Sequence, residues 1–239
     1  YGGGLIGNGS GYFTNIHVAA DVGYSYPTSD NPFNAGGLIG YGGAAQISSS
    51  SYSGNIASYG YVGGIVGLSD FTIINNVTSS GTITATFAAG GIIGFLSNSE
   101  DIQSELLFAT SSVTIMPNIP ESTSITTTGG IIGDASDVLI ATTTFNGNLS
   151  LASSTYIYQV GGLVGELATS FGNSSTLQNV TVDASITATG NSSNDPYIQY
   201  VGGLVGEMGY VTIEGALAST SMQFGSEPAA NYINDFSEV

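Results

Sequence analysis

Asp134, Glu166 and Glu207 are the side chains of this sequence best placed to act together. Each directly follows a pentapeptide of one pattern, opening at Gly129 (GGIIG), Gly161 (GGLVG) and Gly202 (GGLVG). If those pentapeptides repeat in space as they do in sequence, the three carboxyls stack at the spacing of adjacent strands, about 5 Å. Like charges at that separation raise a pKa or attract a cation. The two readings are a solvated acidic ladder and a weak Ca2+ site. The same position in the other repeats holds Asn8, Tyr41, Leu68 and Phe95, so the acids occupy one end of the array.

Other constellations are thinner. His17 is the only histidine and alternates with Ile16 and Val18. It is expected on the outward, solvated face of a strand. One His without Cys or an acid cluster makes neither a zinc site nor a Ser-His-Asp arrangement. The only adjacent acids, Glu100 and Asp101, fall in a loop, whereas a glycosidase needs two facing carboxyls. Lyase chemistry on acidic sugars needs a basic residue, and the chain has no Lys or Arg. A carbohydrate-active enzyme on a β-helix is therefore the weakest reading. The chain reads as non-enzymatic, with no catalytic residue and no resident cofactor assigned.

Aromatic residues gather just before the pentapeptides: Tyr24, Tyr26 and Phe33; Tyr59 and Tyr61; Phe87; Tyr156 and Tyr158; Tyr197 and Tyr200. Tyr156, Tyr158, Tyr197 and Tyr200 are candidates for contact with a glycan or another subunit. A packed aromatic ladder that steadies the sheet is the alternative. Asn-x-Ser/Thr triplets begin at Asn8, Asn76, Asn148, Asn173, Asn179 and Asn191. Glycosylation is expected at Asn173 and Asn191, in loops, and not at Asn76 or Asn179 if those two form an internal Asn ladder.

These residues must be positioned by a repeat. The pentapeptide Gly-Gly-[Leu/Ile]-[Ile/Val]-Gly opens at Gly3, Gly36, Gly63, Gly90, Gly129, Gly161 and Gly202, at intervals of 33, 27, 27, 39, 32 and 41 residues. Self-similarity at such periods marks a solenoid. A second block follows each copy, clearest in residues 72–85 and 176–188. There Asn76-Val77-Thr78 matches Asn179-Val180-Thr181, and Thr82-Ile83-Thr84-Ala85 matches Ser185-Ile186-Thr187-Ala188. These are β-branched runs with apolar–polar alternation, the strand pattern. No segment shows a capped helical period. One turn thus reads as three short strands: the pentapeptide, the Ile-x-Asn-Val run and the Ile-Thr-Ala run. Longer turns insert loops, as at 116–123 and 190–197. The glycines are expected to allow positive φ and tight corners that a β-carbon would block. A phosphate-cradling role for them is excluded, because no helix follows and no basic residue is present.

The expected fold is all-β: a right-handed parallel β-solenoid of about seven turns over residues 1–230. Residues 231–239 form a tail that caps the end or lies along a neighbouring subunit.

Composition limits the partners. The formal charge is −17, with three acids in residues 1–99 and fourteen in 100–239. Nucleic acid and anionic membranes need a positive patch, so neither is a partner. Direct membrane insertion is not expected either, since no apolar run approaches the eighteen or so residues of a spanning helix. With no Cys, disulfides, thiolate metal sites and Cys nucleophiles are all excluded. A surface of Ser, Thr, Asn and Tyr stays nearly uncharged in acid and offers trypsin-like proteases no site. Both properties suit the outside of a cell. The opening residues begin almost inside a repeat and carry no positive n-region, which reads as a mature or excised piece of a longer precursor.

The pattern Gly-Gly-Leu-Val-Gly, then [Thr/Ser]-Ile-x-Asn-Val, then [Ser/Thr]-Ile-Thr resembles the GLUG motif family. The resemblance runs through the whole chain, though turns four, five and seven lose the Asn. It implies a parallel β-solenoid in a large bacterial or archaeal surface protein or adhesin, and it carries no catalytic residue. The expected role is structural or adhesive, at the cell surface or secreted. Partners are a further copy stacked head to tail into a fibre, or the continuation of a longer surface protein. The alternative is a glycan-binding adhesin stalk.

Overall fold

The chain changes direction at each pentapeptide. The computed structural model describes residues 1–23, 33–98, 103–117, 125–151, 156–168, 174–188, 197–224 and 233–236. Among them every regular element is a strand, and the strand pairings are parallel. In one representative turn, strand Tyr61–Gly63 ends at the first glycine, Gly64 and Ile65 bend, and Val66–Ser69 and Thr72–Ala85 follow before Ala88–Gly90 begins the next turn. The pentapeptide is thus a corner between two sheets rather than a strand.

Strands that end on the first glycines build a narrow sheet, eight strands deep among the described residues. Its register aligns Gly3, Gly36, Gly63, Gly90, Gly129, Gly161 and Gly202. Ile233–Phe236 adds the eighth strand, pairing Ile198 with Ile233 and Val201 with Phe236. Everything else wraps into one wide sheet of eighteen strands. This is a parallel β-solenoid, as the repeat implies.

The corners hold because their backbones hydrogen-bond from turn to turn. The amides of Ile65 and Val66 both donate to the Ile92 carbonyl, each at 2.9 Å. Leu38 and Ile39 donate likewise to Ile65, Ile131 and Ile132 to Leu163, and Leu163 and Val164 to Leu204. Such doubled acceptance lets a chain reversal satisfy its buried amides without water. It also brings successive backbones very close. A Cβ on Gly63 would overlap the Val66 carbonyl oxygen and come within 2.7 Å of the Gly94 nitrogen; one on Gly64 would overlap the Gly91 carbonyl oxygen. No pentapeptide glycine has positive φ among the described residues. The expected positive φ is therefore corrected, while the expected exclusion of a β-carbon holds: in the inner turns these glycines are required by close backbone approach.

Inside, equivalent apolar residues form continuous files. Leu38, Ile65, Ile92, Ile131, Leu163 and Leu204 line the corner, all buried. Ile47, Ile74, Leu106, Ile140 and Leu177 form a second file, and Ile56, Ile83, Ile115, Leu149 and Ile186 a third, each in register. Each fully buried Leu or Ile contributes roughly 1.5–3 kcal/mol. The two blocks expected as separate strands run as one, Thr72–Ala85, bent at Asn76 and again at Gly81, whose φ is 116°.

The bend at Asn76 recurs in every turn. Asn15, Ser49, Asn76, Phe108, Thr142, Asn179 and Gly215 have φ of 59°, 48°, 54°, 53°, 51°, 52° and 64°. The strand register stacks them into one file. Asn76 and Asn179 are exposed. The internal Asn ladder is thus corrected to an outward corner file. Asn suits it because its short polar side chain tolerates the left-handed conformation.

Candidate binding face

The outward residue after each pentapeptide begins a file along the wide sheet. Asn8, Tyr41, Leu68, Phe95, Asp134, Glu166 and Glu207 pair in unbroken register. A second file runs along the narrow sheet, two residues before each first glycine. It contains Tyr61, Ala88, Thr127, Gln159, Tyr200 and Asp235.

The two files meet across the corner with an offset of one turn. Tyr1 stacks on Tyr41, with ring centroids 5.0 Å apart and planes at 30°. Tyr61 stacks on Phe95 at 4.6 Å and 29°. Gln159 Nε2 donates to Glu207 Oε2 at 2.8 Å. The face is therefore aromatic towards the first turns and carboxylic towards the last. Tyr41 also donates its hydroxyl to Asp70 Oδ2. That bond, with burial and the Asp70 charge, pushes the Tyr41 phenol up to about 12.

Asp134, Glu166 and Glu207 stand on successive strands, as the repeat predicts. Burial, and then the Glu166 charge, push the Asp134 carboxyl up to about 7. Burial, and then the Glu207 charge, push Glu166 upward as well. The Tyr61 phenol is raised first by burial and then by Asp134. The trio runs as a file, one carboxyl per strand. Among the described residues no three acids, histidines or cysteines group so as to hold a metal ion. What the geometry provides is a stack of carboxyls, one per strand, of which Asp134 and Glu166 hold their protons more tightly than usual, with an amide donor at its end.

The tyrosines divide. Tyr156 and Tyr197 are in register, and Tyr200 pairs with Gln159 rather than with Tyr158. Tyr158 and Tyr200 are half-buried; the side chains of Tyr156 and Tyr197 lie outside the described residues. So do Asn173, Asn191, Glu100 and Asp101, along with Tyr24 and Tyr26. His17 is exposed and shares a 2.8 Å hydrogen bond with Ser51 through Nδ1. Sequence reasoning missed Gln159, and it missed the pairing of Tyr61 with Phe95. The signal was present as two fixed positions flanking each pentapeptide, but only the one-turn offset joins them.

Residues 58–84 match the model of the GLUG motif. The chain carries a GLUG motif. The matched segment is one turn of the solenoid, containing the Gly63 corner, the left-handed Asn76 and the buried Ile65, Ile74 and Ile83. Searches of the curated proteins and of the solved structures return no match. Read through this geometry, a GLUG motif specifies a corner with closely apposed backbones, two core files and an outward bend.

Proposed function

We propose that this GLUG-motif chain is a structural, non-catalytic module of the cell exterior, a segment of a fibre or adhesin. The observation that supports it is the continuous stacking of equivalent residues, turn upon turn, with corner amides hydrogen-bonded to the backbone of the next turn. Among the described residues, the first and last turns of the wide sheet leave strand edges and apolar side chains open. Leu5 and Tyr12 are exposed at one end, Met208, Tyr210 and Leu217 at the other. Such edges are templates for further strands. Stacking another copy there is a heterologous, non-closing contact, which makes a fibre; further turns of a longer chain would satisfy the same edges. The absence of Lys and Arg fits a setting rich in proteases. Electron microscopy of native material tests the reading. Periodic fibres or long surface rods are expected, and dispersed monomers at high concentration would refute it.

Glycan binding is a second reading, supported by Tyr200 standing in file with Gln159 beside Glu207. Planar rings and fixed amide–carboxyl pairs suit sugar faces and hydroxyls. Glycan-array binding lost on Tyr158→Ala or Tyr200→Ala is expected; an array with no bound glycan would rule it out.

A further inference from the structure

The outward corner file contains two residues that local preference does not explain, the β-branched Thr142 at φ 51° and the bulky Phe108. Phe108 has φ 53° and is 55% exposed. A bulky side chain in the left-handed region is a genuine outlier, and exposure of the ring gains nothing from burial. Its register neighbour on the preceding turn is Asn76, about 4.8 Å away along the file. Asn76 opens the triplet Asn76-Val77-Thr78, in which Asn76 and Thr78 are exposed and Val77 is buried. Asn179, three places along the same file, opens Asn179-Val180-Thr181. It too is exposed at φ 52°, above a buried Val180. Its file neighbours are the exposed Thr142 and Gly215, neither of which covers it. Asn76 Nδ2 makes only a long 3.4 Å bond to Ser49 Oγ. The other described triplets, Asn8-Gly9-Ser10 and Asn148-Leu149-Ser150, lie outside this corner file.

We infer that Asn76 and Asn179 are N-glycosylation sites, and that the first sugar on Asn76 lies across the ring of Phe108. In the reaction, Asn Nδ2 forms a bond to C1 of a polyprenyl-phosphate-linked sugar. The C1–O bond breaks, the polyprenyl phosphate leaves with the electron pair, and the amide gives up one proton. The corner projects each glycan away from the sheets, so no strand pairing is disturbed. An apolar sugar face over Phe108 removes the exposed ring from water and gives a reason for its place in a strained position.

The inference rests on the chain being exported, so its test is run on chain recovered from the exterior of its source cells. Cleavage at Asp and Glu, followed by glycopeptide mass spectrometry, reads each site; trypsin has nothing to cut. Glycan is expected on both asparagines, with amidase treatment converting each to aspartate. Thr78→Ala keeps Asn76 at its corner and should abolish the Asn76 glycopeptide while leaving the Asn179 one. Phe108→Ala should leave occupancy intact and speed amidase release from the folded chain. Exterior chain with bare Asn76 and Asn179 overturns the inference and leaves the exterior reading standing. Chain found only inside the cell overturns both.

Discussion

At the scale of single residues, the same amino acid type does two different jobs. Gly64 and Gly91 are glycines because a Cβ would overlap a carbonyl of the next turn, Gly91 and Gly130 respectively. Gly215 is a glycine at positive φ, and Gly81 combines positive φ with close approach to the Gly54 carbonyl. The two cases separate under substitution. Gly91→Ala drives a Cβ into the Gly130 carbonyl of the next turn and into the Ser111 side chain, and should cost about 3 kcal/mol, the upper range for a point change. Asn76→Gly should be nearly neutral, whereas Asn76→Val places a β-branched residue in the left-handed region at about 1–2 kcal/mol. Thermal unfolding of the three variants checks the order, and equal losses at Gly91 and Asn76 would sink the distinction. The need for glycine was legible in the sequence from seven copies of one pentapeptide. Which of its two reasons applies was not, because close approach between turns and positive φ leave the same letter. Asn76 was misassigned for a related cause: an Asn between Ile and Val in a strand pattern looks internal until the bend is seen.

At the scale of elements, the acid file shows what stacking strands does to side chains that would be ordinary on a loop. Asp134 is raised to about 7 by burial and by Glu166. In the unfolded chain it titrates near its usual value of about 4. Below that value both states hold the proton and the contribution to stability is fully present. As pH rises from about 4 to about 7 the unfolded state releases the proton first, so stability falls, and the loss is complete above about 7. Glu166, raised by burial and by Glu207, adds to the fall in the same direction. The melting temperature should therefore drop between pH 4 and 7, and Asp134→Asn should flatten much of that slope. A variant whose slope matches the parent chain would show that the file is solvated. Core files carry a separate expectation. Ile92→Ala removes a residue packed between Ile65 and Ile131 and should cost about 2–5 kcal/mol by denaturant unfolding, against little change for exposed Thr78→Ala. The position of each acid in the file was legible from its place after the pentapeptide. The Gln159 amide was not, since its partner lies 48 residues away across a corner.

At the scale of the whole molecule, charge and stacking oppose one another. A solenoid is held by neighbour-to-neighbour contacts, so an added turn at either end gains the interface that every internal turn already has. The chain also carries a formal −17, with fourteen of its seventeen acids after residue 99. Two copies meeting head to tail bring that field against an end with few acids, while side-by-side copies bring acidic halves together. Screening changes the balance. The Debye length is about 10 Å at 0.1 M salt and about 3 Å at 1 M, so salt relieves repulsion between copies while leaving strand pairing and apolar contact largely untouched. Acid relieves it by neutralising carboxyls, Asp134 and Glu166 among the first because they already hold protons more tightly. Self-association by light scattering should therefore strengthen both with salt at pH 7 and with falling pH at low salt, and the two effects should not add once the charge is gone. Association that weakens with salt would place attraction between charges at the contact, which a chain with no Lys or Arg can hardly supply, and would remove end-to-end stacking as the driving contact. Tyr12→Asp, at one exposed end, should suppress the association at pH 7 and partly restore it in acid; the same change at Tyr210 tests the other end of the rod.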